Sequence, residues 1–363
     1  MSGIFGLLGL ADGDLSYVNT IGQRLVMDAA NEYLRVVTED ANKAYSVFIQ
    51  EITEGHKERY KLPGGGRLQK RGGKAPSAST KAYGGFDVAF PLEDFGAAIT
   101  ETDIAMAYMT LPQLQRHLDT VRIQSINTRR HEILRRFFKN TTDTFVDPRD
   151  DVGSLTIQPL ANNDTVTYPP VLGSESEATE MHYLETGYAV ASITETNNPV
   201  ITGRNELEEH FGAPTGYGNI AMFVPQATIP YLEALTDYDQ VKDSYVRLGS
   251  NADVPDMLPS VPGRVTGRCN GVWIVEWRWV PANYAMFIDL EADAPFKMRV
   301  DLASTGLPQG ISLVAQSDKY PLMDAQYRDR FGIGAANRLN GVSLEFGTGG
   351  SYTIPSSPVD YSV

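Results

Sequence analysis

Residues 57–81, KERYKLPGGGRLQKRGGKAPSASTK, set eight basic side chains (Lys57, Arg59, Lys61, Arg67, Lys70, Arg71, Lys74 and Lys81) against one acid, Glu58. The 363-residue chain has a formal charge of −14, so everything outside this +7 segment sums to −21. Five glycines, at 64–66 and 72–73, and a shortage of apolar side chains deny the stretch a core of its own. Three placements compete: a solvated loop, an Arg/Gly-rich arm for nucleic acid, and an arm laid on a neighbouring copy. Aromatic residues that would stack on bases are nearly absent between Tyr60 and Tyr83, which counts against the second. The largest acidic surface to hand is another copy of the same chain, which favours the third. Exposed ion pairs contribute only about 0–1 kcal/mol each. Charge would therefore set register and encounter, while Phe86, Phe90, Leu92 and Phe95 would supply most of the holding energy.

The flanks of the segment fit a hairpin. Phe86, Val88 and Phe90 alternate with Asp87 and Ala89, and ERYKL supplies the partner arm, with the glycines in or near the tip. An isolated two-stranded ribbon is marginal in water, so a long one needs a surface to lie on.

Upstream, residues 15–51 carry Ile21, Leu25, Val26, Ala29, Ala30, Tyr33, Leu34 and Val37 at three- and four-residue spacing, which predicts one helix. Downstream, Thr100 or Thr102 can cap a short helix ending near Tyr108. Thr110, with Pro112 in the first turn, starts a long helix over 111–140 whose end gathers Arg129, Arg130, Arg135, Arg136 and Lys139. Its length, about 45 Å at 1.5 Å per residue, suits a strut.

Two β-rich runs in SLTIQPLANNDTVTYPP (154–170) predict a hairpin turning at Ala161–Asp164. Farther on, TGYAVASI, GNIAMFVP, VWIVEWRWVP and ANYAMFIDLE have strand character, while NPVITGRNELEEHFG and QATIPYLEALTD have helix character. In the tail, Ile333 with Ala335 and then Val342, Leu344 and Phe346 give two strand pieces broken at Asn340–Gly341. The class is α+β, without a regular βαβ repeat.

Composition excludes several functions. An acidic whole is a poor general binder of nucleic acid, though a local basic patch survives that argument. One cysteine, Cys269, allows no intrachain disulfide and fits a reducing compartment. No apolar run approaches the ~18 residues that cross a bilayer, and the start lacks the basic region of a secretory signal. No P-loop, dinucleotide fingerprint, HExxH, paired CxxC or GxSxG occurs. Gly64–Arg67 lacks the Lys-Ser/Thr of a phosphate loop, Cys269 has no histidine near it in sequence, and His182 with Glu180 and Glu185 has the spacing of no common metal site. No catalytic, cofactor-binding or metal residues are assigned, and no enzyme is expected.

The element order, together with GNIAMFVPQATIPYLEAL, GRCNGVWIVEWRWVP and YRDRFGIGAANRLNGVSLEF, resembles the major capsid proteins of tailed bacteriophages, the Hong Kong 97-like fold. The resemblance implies an N-terminal arm over 1–52 and an extended E-loop over 53–99. It implies a peripheral P-domain from 100–185 with 321–363, built on the helix at 111–140, and an axial A-domain over 186–320. It further implies hexamers and pentamers closing into an icosahedral shell around double-stranded DNA. The partners implied are further copies, a portal, scaffold or decoration proteins, and DNA in weak non-specific contact; a membrane is not among them. The chain would pass from host cytoplasm into the virion. Some members cross-link an E-loop lysine to an asparagine; here Lys61, Lys70, Lys74 and Lys81 would be donors and Asn337 or Asn340 acceptors. A helix beginning near residue 15 leaves no room for a cleaved scaffolding segment. Two alternatives stand beside this: an encapsulin-type compartment, and a nucleic-acid-binding protein using 57–81.

Overall fold

The computed structural model describes residues 23–61, 85–102, 105, 108–168, 178–211, 219–240, 261–317 and 322–356. The first helix, α1, spans Gln23–Ala44, and its buried Ala30, Leu34, Val37 and Ala41 recur at helical spacing. The expectation carried it to residue 51. Instead the chain turns at 45–48 and enters strand β1, Ile49–Thr53. Tyr45, Val47 and Phe48 are drawn into the main core, and that burial outweighs continued helix.

Strands β2 (Lys57–Lys61) and β3 (Gly85–Ala89) pair antiparallel, Tyr60 opposite Phe86 and Glu58 opposite Val88, as the alternation required. Next comes β4, Glu93–Thr102, paired over ten residues with a later strand where a helix cap at Thr100 was expected. Thr102 does accept a bond on its Oγ1 from the Ala105 amide at 3.2 Å. The long helix α2, Leu111–Phe138, matches its expectation closely. Thr110 is its N-cap, the Thr110 amide donates to Gln113 Oε1 at 2.9 Å, and Arg135 and Arg136 lie in its last turn.

A hairpin follows, but in a different place from the one expected. Strand β6 (Ser154–Ile157) pairs back with β5 (Asp143–Val146), and residues 162 and 168 bridge forward to 181 and 178. Asn163 has φ +48 and Asp164 Oδ1 accepts from the Val166 amide, so a turn does form there; its flanks have other partners. After β7 (Tyr183–Glu185), TGYAVASI holds a short 3₁₀ turn at Val190–Ser192 in place of a strand.

Helix α3 (Pro199–Phe211), β8 (Ile220–Val224), the short α4 (Ile229–Glu233), β9 (Tyr238–Gln240), β10 (Arg264–Cys269), β11 (Val272–Glu276) and β12 (Tyr284–Asp289) then alternate. Among the described residues four further strands follow: β13 (Phe296–Val300), β14 (Ser312–Ser317), β15 (Leu322–Ala335) and β16 (Val342–Glu345).

Among the described residues two large sheets form. A seven-stranded sheet runs β7-β16-β12-β8-β11-β10-β9. In a five-stranded sheet β15 takes β4 along one edge and β13 and β14 along the other, with β1 outermost beside β13. The division expected near residue 320 does not coincide with these sheets. Strands 296–300 and 312–317 join the sheet of 322–335, while 342–345 crosses to the other. Alternation marks a strand without naming its partner, and these partners are set by tertiary packing.

Strand β8 is buried along its whole length, as a central strand covered on both faces must be. One face meets α3 and α4 through Val200, Ile229 and Leu232. The other forms the main core, where Phe223, Trp277 and Met286 meet Phe48, Phe137, Phe138 and Phe296. This core joins the two sheets through the end of α2. No helix among the described residues is long and apolar enough to cross a membrane.

Candidate assembly surface

The root of the basic ribbon has two unlike faces. Residues 58, 60, 86 and 88 turn one way, and Phe86 and Val88 pack there against Ala161, Tyr168, Ala336 and Leu339. Tyr60 stacks on Phe86 at 5.8 Å between ring centroids, and Arg338 lies over Phe86 at 5.5 Å. Arg338 is itself fully buried, donating to the Pro159 carbonyl at 2.7 Å, to the Leu160 carbonyl at 3.2 Å and to Asp164. Lys57 and Arg59 point the other way, both to Asp87, at 2.8 and 3.9 Å.

Two expected intersubunit contacts are therefore corrected. Phe86 is 6 % and Phe90 0 % exposed within the single chain, so their greasy surface is spent on the subunit's own core. The alternating pattern signalled burial without signalling whose core does the burying. Lys57 and Arg59 are exposed, half-neutralised by Asp87, and remain on the surface. Of Lys61 only the backbone is described. Arg67, Lys70, Arg71, Lys74 and Lys81 lie outside the described residues.

Charged side chains missed by sequence reasoning clamp this root to the body. Lys297 Nζ sits 2.9 Å from both Glu51 and Glu58 and 5.5 Å from the Tyr60 ring, tying β1, β2 and β13 together. Burial opposes its charge, but the two carboxylates outweigh burial and hold the amine well above its ordinary pKa. Nearby, Arg299 donates to the Phe90 carbonyl at 2.9 Å and pairs with Asp147, and the Phe90 amide donates to the His56 carbonyl at 2.9 Å. Arg149 bonds Asp147 and donates at 2.7 Å to His56 Nδ1. His56 is thereby fixed as the neutral tautomer protonated on Nε2. Its pKa is lowered by partial burial first and by Arg149 and Arg299 next. Burial raises the Asp147 pKa, but bonds from Arg299 and the Arg149 backbone lower it below the usual value.

A second clamp lies on α2. Arg129, 3 % exposed, donates two bonds to Asp329 of β15 at 3.1 and 2.8 Å and a third to Asn42 of α1, while Ser125 adds one to Asp329 at 3.0 Å. The arginines expected merely to suit a helix C-terminus thus join three elements. No sequence signal marks Asp329 as their partner two hundred residues away.

The remaining candidates fall into structural roles. Cys269 is buried and its thiol is pushed up to about 11 by burial, the opposite of an activated nucleophile. His182 is fully buried, its Nδ1–H donating to the Gly341 carbonyl at 2.8 Å, and Glu185 accepts from the Gly349 amide. Glu180 instead meets Glu206 and Glu209 of α3, with ligand atoms within 4.8 Å of one another. Burial, then Glu209 and Glu180, push Glu206 up to about 7. Asn340, an expected cross-link acceptor, is 3 % exposed and bonds the Asp289 amide and the Asp289 and Asp293 carbonyls at 2.9 Å each. An amide held on both ends inside the fold is out of reach of a neighbour's lysine. Asn337 is less buried and donates to the Asp293 carbonyl at 2.9 Å.

No family model matches the sequence, and no curated protein matches it. Solved structures do. A chain from Mycobacterium phage Patience shares the fold at a TM-score of 0.69 and 16 % identity, over 97 % of this chain and 99 % of that one. The capsid of a native GTA particle aligns over 84 % of this chain and 90 % of its own, at a TM-score of 0.48 and 12 % identity. The mature capsid of bacteriophage PhiM1 aligns over 82 % and 86 %, at 0.48 and 9 %. The α+β fold is thus one that a phage chain of nearly equal extent adopts.

Proposed function

We propose that this chain is the major capsid protein of a tailed bacteriophage, a structural subunit that assembles through hexamers and pentamers into a shell around double-stranded DNA. The observation that carries this is the end-to-end likeness to the Mycobacterium phage Patience chain, in which neither chain leaves a domain unmatched. In this reading the seven-stranded sheet with α3 and α4 is the axial domain, and the five-stranded sheet with α2 is the peripheral one. The ribbon rooted at β2 and β3 is the E-loop. Its tip, with Arg67, Lys70, Arg71, Lys74 and Lys81, reaches an acidic neighbouring subunit, and Lys57 and Arg59 continue that basic face at the root. Heterologous contacts between like subunits close into rings when the rotation allows it. A portal, scaffold or decoration proteins and passage from host cytoplasm to virion follow from the same reading. Catalysis plays no part.

Electron microscopy of the expressed protein, beside size-exclusion chromatography, tests it. Closed particles or ring-shaped capsomers are expected, and nuclease-protected DNA is expected in particles purified from infected cells. A protein that stays monomeric at high concentration, with and without a co-expressed scaffold, would overturn the shell. Particles filled with an enzyme in place of DNA would replace the phage by a nanocompartment.

A further inference from the structure

Along the outer side of α2, Arg116, Thr120, Ile123, Asn127 and Arg130 follow one another at spacings of four and three, so they share one face. The first four are exposed and Arg130 is partly so. Arg130 lies 3.3 Å from the ring centroid of Trp279, which is 45 % exposed in the turn after β11. Beside Trp279 in sequence, Arg278 is exposed too. The helix row holds two arginines and no carboxylate, and the exposed Arg278 next to Trp279 adds a third base, in a chain whose acids outnumber its bases by fourteen. The flanking Asp119 is engaged elsewhere, by the Tyr33 hydroxyl at 2.6 Å and Arg122 at 3.7 Å.

We propose that this row, Arg116 to Arg130 with Arg278, is the surface on which double-stranded DNA lies against the subunit, the arginines meeting backbone phosphates. The proposal rests on the shell reading and gives it an inner wall. Arginine donates and never accepts, and phosphate oxygens accept and never donate. From Arg116 to Arg130 the helix rises about 21 Å, the axial rise of roughly six phosphates of one strand. Trp279 acts as a rest for Arg130. A guanidinium lying on an aromatic face keeps its N–H groups in its own plane, directed outward past the ring edge. Asn127 fixes that plane further, accepting from Arg130 at 2.7 Å. A second copy of the chain fits less well, because Ile123 and the half-covered Trp279 are the large apolar groups of the row and a protein interface needs a greasier centre. Three arginines per subunit hold DNA loosely, which suits a genome that must slide in and out.

The test titrates a short mixed-sequence duplex into the purified full-length protein, at a series of salt concentrations. Arg116→Gln, Arg130→Gln and Arg278→Gln are then combined in one variant. Removing one arginine–phosphate pair lowers the salt slope by about 0.9. Over a fourfold rise in salt the wild type should therefore lose affinity on the order of 40-fold more than the triple variant. An unchanged slope overturns the proposal, as does a wild type that binds no duplex at low salt. Because Trp273 and Trp277 are buried, acrylamide quenching reports chiefly on Trp279. DNA should shield it, and undiminished quenching at saturating duplex overturns the assignment even if the triple variant fails to fold. Wild-type and variant particles are also imaged. Normal shells with an unchanged salt slope remove this surface and leave the shell reading intact. Loss of shells in the variant alone, with the slope unchanged, gives the row to a second copy.

Discussion

At the scale of single residues, buried charge does the specifying. Arg129 and Asp329 face each other at 2.8 Å with exposures of 3 % and 5 %, and neither can be solvated alone. Asp329→Ala should cost about 3–5 kcal/mol in urea unfolding of the subunit, because it strands the guanidinium. Replacing both, Arg129→Met with Asp329→Leu, should cost far less or nothing. His56 makes a pH-dependent prediction. Its native pKa lies below the ordinary value, so on acidification the unfolded chain takes up the proton first. Stability present above pH ~6.5 is then lost as pH falls toward the depressed native value, where the loss levels off. Glu206 works the other way, since a carboxyl raised to about 7 favours the fold below its unfolded value and loses that favour as pH rises through 7. The clean measurement is therefore the difference between wild type and His56→Gln in thermal melts from pH 8 to pH 5. The variant should show the shallower acid loss, and parallel curves would remove His56 from the cluster that seats the ribbon.

At the scale of elements, the root of the ribbon behaves as part of the core. Phe86→Ala should destabilise the isolated subunit by about 3–5 kcal/mol, seen as a lowered unfolding midpoint without any assembly being present. Were its ring spent on a neighbour, the monomer would not notice. Gly332 of β15 shows how tightly the root is seated, for a Cβ there would stand 2.2 Å from the Pro91 carbonyl oxygen. The same elements show what sequence could and could not convey. Helix α2 was legible from Thr110, Pro112 and its terminal arginines, because caps and end charges are local physics. The β2–β3 pairing was legible because Phe86 and Val88 alternate with polar neighbours. Strand β4 was not, since the small residues Gly96, Ala97 and Ala98 carry little strand signal and are defined by their pairing with Tyr327 and its neighbours. The hairpin at 154–168 failed for a related reason: Asn163 does turn the chain, but the partners of the flanking segments are chosen by the body they pack on. The charged clamps were illegible for want of any local rule that links Arg129 to Asp329 or Lys297 to Glu51.

At the scale of the whole molecule, the two root strands of the ribbon pair with each other and pack on the subunit's own core. Joining residue 61 to residue 85 through a short Gly-Ser linker should thus leave a folded subunit with a near-normal melting temperature. On the proposed shell reading it should also abolish or sharply slow shell formation, scored by light scattering and microscopy. Full assembly by the shortened chain would take the tip out of the intersubunit contact. The sheet order carries a further consequence, one of time. Strand β1 pairs in parallel with β13, Ile49 beside Phe296, and β4 pairs with β15, Thr102 beside Leu322. A ribosome making about 5–20 residues per second needs roughly 10–50 s to travel from one partner to the other. Throughout that interval the nascent chain holds an unfinished sheet and cannot display a finished subunit surface. In the proposed shell, neighbouring polysomal copies would thereby be kept from nucleating a lattice before their C-terminal strands are made.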